Sequence, residues 1–116
     1  MRVRTWSGEF EVQQKEDLPL AVRIVNSIIE KLVCAPEGHT DVCPQDLPEN
    51  VRIDWPRIVN RLKILASVDP VAFAMPRAGR FELFENSEHY WVRVEFPPGM
   101  APASVRLVWR PAPVAA

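Results

Sequence analysis

From Arg80 to Arg110 apolar and polar side chains alternate in three short runs, the pattern that most tightly restricts what this chain can fold into. Successive side chains of a strand point to opposite faces, so an alternating run is a strand with one dry face and one wet face. The runs are 80–84, 89–96 and 104–110, with Glu85-Asn86-Ser87-Glu88 as the first turn and Pro97-Pro98-Gly99 opening the second. In the middle run Tyr90, Val92, Val94 and Phe96 share one face, and His89, Trp91, Arg93 and Glu95 share the other. In the last run Val105, Leu107 and Trp109 oppose Arg106, Val108 and Arg110. The expectation is a three-stranded antiparallel meander solvated on one side.

A dry sheet face needs a cover, and two helical patterns supply it. Residues 18–33 carry Leu18, Ala21, Val22, Val25, Ile28, Ile29 and Leu32 at helical spacing, widened by Leu20, Ile24 and Val33. Asp17 is the expected N-cap, with Pro19 in the first turn. So apolar a helix is expected to be central and covered on more than one side. Residues 55–67 repeat the design, with Asp54 as cap, Pro56 in the first turn, and Trp55, Ile58, Val59, Leu62, Leu65 and Ala66 as the buried stripe. Near the start, Arg2–Trp6 and Glu9–Gln13 alternate around Ser7-Gly8, which reads as a hairpin or one bent strand. Val71–Met75 reads equally as a short strand or a helical turn. Residues 34–53 hold three prolines and one glycine and read as a long acidic loop. The architecture expected is α+β: a two-layer sandwich, two helices packed on an antiparallel sheet that ends in the meander. Residues 1–110 form the domain, and the Pro/Ala-rich 111–116 is a flexible tail.

A chain of 116 residues, 47% apolar and 25% charged, has enough apolar surface for one core without a metal or disulfide. The first residues lack an apolar leader, and no apolar run reaches the ~20 residues that cross a bilayer. A cytoplasmic protein away from the membrane is expected. Net charge is −1, so there is no overall basic excess of the kind duplex binders carry.

No nucleotide-binding glycine loop occurs, and no cofactor is implied. Cys34, His39 and Cys43 form a C-x4-H-x3-C cluster, for which Asp41, Asp46 or His89 would be the fourth metal ligand. That spacing matches neither common zinc pair, so two free cysteines, with Cys34 buried at the helix end, are expected instead of a metal site or disulfide. A Cys–His nucleophile on a flexible loop lacks the support catalysis needs. Glu82, Glu85, Glu88 and Glu95 read as solvated charges, not a catalytic pair.

Two surfaces carry interaction chemistry. One is the outer face of the second helix, where Arg57, Arg61, Lys63 and Ile64 are expected to be exposed. The other is the wet face of the meander, with Trp91, Arg93, Arg106 and Arg110. Charge is segregated between the acidic 37–54 and the basic 57–80, which serves partner choice. The function expected is a non-catalytic binding module engaging another protein, an adaptor or inhibitor of the size that phages and mobile elements encode. The alternatives are a single-stranded nucleic-acid binder using the Trp/Arg face, and a small zinc or thiol enzyme. An open edge strand also allows a homodimer.

Overall fold

A computed structural model describes residues 1–35, 37–70, 74–99 and 102–113. The meander forms as its alternation dictates. Strands β4 (Arg77–Glu85), β5 (Glu88–Phe96) and β6 (Val105–Pro111) pair antiparallel in chain order. The turn after β4 is the two-residue Asn86-Ser87, with Asn86 at positive φ (55°), a conformation asparagine tolerates well. The N-terminal segment is a hairpin, β1 (Arg2–Thr5) and β2 (Gly8–Glu11), turning through Trp6-Ser7. β1 lies against β4, with Val3 opposite Leu83.

A further strand, β3 (Gly38–Val42), lies inside the segment expected to be a loop and pairs with β6 from Gly38 opposite Trp109 to Val42 opposite Val105. The result is one six-stranded antiparallel sheet in the order β2-β1-β4-β5-β6-β3. The acidic segment also holds a 3-10 turn (Pro44–Asp46) and the single-turn helix α2 (Glu49–Arg52).

Helices α1 (Leu20–Leu32) and α3 (Trp55–Leu65) pack together over one face of the sheet. Val25 and Ile29 of α1 and Ile58, Val59 and Leu62 of α3 are fully buried, as are Val92, Val94, Val105 and Leu107 beneath them. Side chains of this kind contribute about 1.5–3 kcal/mol each when fully buried. Two indoles tie the layers: Trp55 Nε1 donates to Pro102 O at 2.8 Å and Trp109 Nε1 to Ala35 O at 3.0 Å. The radius of gyration, 13.8 Å, is that of one compact body of this length.

Several local expectations change. Pro19, not Asp17, holds the N-cap position of α1, and no side chain caps it. α1 is buried along one side only; Leu20, Ile24 and Ile28 form a half-buried flank. Asp54 does precede α3, but its carboxylate accepts a bond from Arg57 instead of capping. Val71–Phe73, in the ambiguous stretch, and residues 114–116 of the tail lie outside the described residues. Ahead of these, Pro111 ends β6 and Ala112 N donates to His89 O at 2.8 Å, so the start of the tail is tied to the sheet.

Candidate functional site

The face of the sheet away from the helices is open, and the register sets which side chains meet on it. Across β4, β5 and β6 one row runs Arg80, Arg93, Val108 and the next runs Glu82, Trp91, Arg110. Arg80 stands directly opposite Arg93, a like-charge pairing that costs stability in a sheet. The Arg80 guanidinium lies over the Trp91 ring, 4.0 Å from its centroid, and that of Arg110 approaches to 5.5 Å. Trp91 thereby holds two cations in place by cation–π attraction. Around it opens a groove of about 640 Å³, lined by Arg80, Trp91, Arg93, Val108 and Arg110, with Ser67 among the residues on its rim.

The surrounding charges are mostly engaged. Arg106 donates to both oxygens of Asp41, at 2.9 and 3.4 Å, and Arg93 reaches Glu95 at 3.4 Å. The Arg106 hydrogen bond holds the Asp41 carboxyl below its ordinary pKa. Arg4 bridges Glu9 and Glu82, and His89 stacks on Phe84 while its Nε2 meets Glu82 at 3.1 Å. Among the described residues no carboxylate forms an ion pair with Arg80 or Arg110. Arg80 also borders a smaller hollow that runs to Trp6 at the tip of the β1–β2 hairpin, a residue 83% exposed.

The wet-face residues Trp91, Arg93 and Arg110 thus come together, while Arg106 sits one row away and is committed to Asp41. Arg80 completes the groove although it was not among the expected site residues. Its signal was available, because a two-residue turn at Asn86-Ser87 pairs Glu85 with Glu88 and therefore Arg80 with Arg93.

The helix patch does not assemble. Arg57 and Ile64 are exposed, the latter by 51%, but Lys63 is 1% exposed, with its ammonium 5.9 Å from the Phe96 ring. Arg61 is half-buried over Phe10, at 5.7 Å, and its buried Nε has no hydrogen-bond partner. Burial lowers its pKa from the ordinary guanidinium value.

The cysteine cluster likewise disperses. Cys34 and Cys43 are free thiols, and Cys34 is exposed, not buried. Among the described residues no three His, Cys, Asp or Glu side chains gather closely enough to hold a metal. Burial pushes the Cys43 thiol up, and Asp46 and Asp41 add to the effect. A nucleophile or metal ligand needs the opposite shift.

No protein-family model and no curated protein matches this chain. Fold and face together define an α+β domain with a helix-covered sheet and an open, arginine-lined groove. Among the described residues no helix is long and apolar enough to cross a membrane.

Proposed function

We propose that this chain is a non-catalytic binding module whose open sheet face docks a carboxylate-bearing segment of a partner protein in the Trp91 groove. The observation that carries the reading is the pair of guanidiniums, Arg80 and Arg110, held on the Trp91 ring without ion-paired carboxylates among the described residues. A stacked guanidinium keeps its N–H donors directed outward in the ring plane, where they match a carboxylate as a two-pronged fork. Holding the fork before the partner arrives lowers the ordering cost of binding. Trp and Arg are also the residues that dominate interface energetics, and Trp6 extends the same surface.

Two features favour a protein over single-stranded nucleic acid. Trp91 already has Arg80 on its ring, which competes with a stacking base. Glu82, Glu95 and Asp41 punctuate the face, so a phosphate backbone crossing it meets carboxylates within one or two rows. The fit is to one or two localised anions. An adaptor or inhibitor acting in the cytosol, where Cys34 and Cys43 stay reduced, is the role this chemistry suits.

The test is fluorescence anisotropy with a labelled peptide carrying two adjacent glutamates in an otherwise uncharged sequence and, in parallel, a labelled thymidine oligonucleotide. The peptide is expected to bind, and Arg80→Ala or Arg110→Ala to weaken it about tenfold, the worth of one charge-assisted contact. Arg57→Ala is expected to change nothing. Absence of peptide binding together with steeply salt-dependent oligonucleotide binding would transfer the groove to nucleic acid.

A further inference from the structure

We infer that the outer edge of β3 pairs with the same edge of a second copy, joining two sheets into one across a two-fold axis at Thr40. The two edges of the sheet differ in what they offer. A two-fold axis perpendicular to the sheet keeps the helices of both copies on one side and sets residues of equal parity opposite each other. For β3 the register that overlaps the whole strand is centred on Thr40. It brings His39 opposite Asp41 of the second copy, twice, on the open face: an imidazole N–H beside a carboxylate. Asp41 is already oriented by Arg106, and its carboxylate has acceptor capacity left for a further donor.

At the other edge the same operation on β2 places Glu9 opposite Glu9 or Glu9 opposite Glu11, carboxylate against carboxylate. The cations near them, Arg2, Arg4 and the N-terminus, are already bound to these glutamates within each copy, so no complementary pair forms across that seam. Edges are ordinarily blunted by proline, lysine, bulges or like charges. β2 carries its glutamates. β3 carries none of these devices: its pairing with β6 is unbroken over five residues that include neither proline nor lysine. Among the described residues no strand covers its outer side.

A five-residue pairing spans only about 17 Å and buries little by itself. A second contact lies beside it on the helix side. A concavity of about 450 Å³ runs along β3, and Ile28, Leu32, Leu47 and Trp109 give it an apolar lining. Ile28 belongs to the half-buried flank of α1 with Leu20 and Ile24. Because the axis keeps both helical layers on one side, this flank faces its counterpart across the seam. Trp91 stands two strands away from β3, and the groove around it reaches as far as Val108 and Arg110 of β6, on the open face.

The test uses charge complementarity in trans. His39→Asp sets two carboxylates against each other at both ends of the seam, and Asp41→Lys sets a lysine against His39. Native mass spectrometry and sedimentation equilibrium at high micromolar concentration are expected to give a wild-type dimer and two monomeric variants. Mixing the variants is expected to restore a heterodimer, because His39→Asp in one copy then faces Asp41→Lys in the other. Thermal melts establish that each variant is folded, and His39→Ala/Asp41→Ala, which removes both the imidazole donor and the carboxylate acceptor, is expected to dimerise at least tenfold more weakly than wild type. A monomeric wild-type chain overturns the inference. So do variants that dimerise as well as wild type, because the interface then lies elsewhere.

Discussion

At the scale of the single residue, the end of α3 is where local chemistry and backbone geometry disagree. Val68 N donates to Lys63 O at 2.8 Å and Ser67 N to Ile64 O at 3.1 Å, the two bonds that close a helix when the next residue turns left-handed. That residue is usually glycine, whereas here Ser67 holds φ at +61°. Ser67→Gly removes the strain on a side chain at positive φ and is expected to stabilise the fold by about 0.5–1 kcal/mol, read as a higher denaturant midpoint at unchanged slope. Most of the hydrophobic stripes was legible, since Ala21, Val25, Ile29 and Leu32 of α1 and Ile58, Val59 and Leu62 of α3 all reach the core, whereas Leu18, Val22 and Ile28 stay half-buried. The long cations were not. Periodicity places Lys63 and Arg61 by Cα direction alone, but flexible stems let Lys63 run beneath Phe96 and Arg61 over Phe10. Arg57, which reaches only back to Asp54 at 3.4 Å, stays exposed as expected.

At the scale of the element, the meander was legible and β3 was not, for one reason. Each meander strand carries two or more nearly fully buried side chains in alternation, whereas Gly38-His39-Thr40-Asp41-Val42 contributes a single buried one, Val42, still 9% exposed. Glycine and aspartate are poor strand residues, so the strand exists because β6 offers it an edge. The same distinction governs how α3 meets β4. A Cβ built on Gly79 would lie 1.9 Å from Ala66 O and 2.9 Å from the Ala66 side chain, so the C-terminus of α3 rests directly on the strand backbone. Neither contact is the end of a flexible side chain, and neither can move aside cheaply. Gly79→Ala is therefore expected to destabilise by about 1–3 kcal/mol, the range for overpacking a filled site, and to lower the melting temperature by several degrees. Because Arg80 follows Gly79 and Ser67 follows Ala66, the same substitution is expected to loosen peptide binding in the groove. Binding unchanged in a destabilised Gly79→Ala protein would separate the groove from this contact.

At the scale of the whole molecule, what sequence pattern could not give was the sheet order. Alternation says which face of a strand is dry, and a tight turn says which neighbour follows, so β4-β5-β6 was written locally. The placements of β1 beside β4 and β3 beside β6 join segments far apart in the chain, and only the shared core selects them. This asymmetry sets how stability is distributed. β5 is paired on both sides, with all nine residues matched to β4 and its inward row of Tyr90, Val92, Val94 and Phe96 buried under the helices. β2 has one neighbour, four residues and no buried side chain. Hydrogen exchange followed by mass spectrometry is expected to find the Val92 and Val94 amides slowest, opening only with global unfolding, and the β2 amides fastest among the strands. The expectation for the remaining edge depends on concentration. Outward amides of β3 exchange quickly in dilute protein, and slow as the chain is concentrated while β2 does not change. Equal exchange at both edges at every concentration would mean that they are equivalent in solution. In that case the juxtaposition of His39 and Asp41 would have no bearing on assembly.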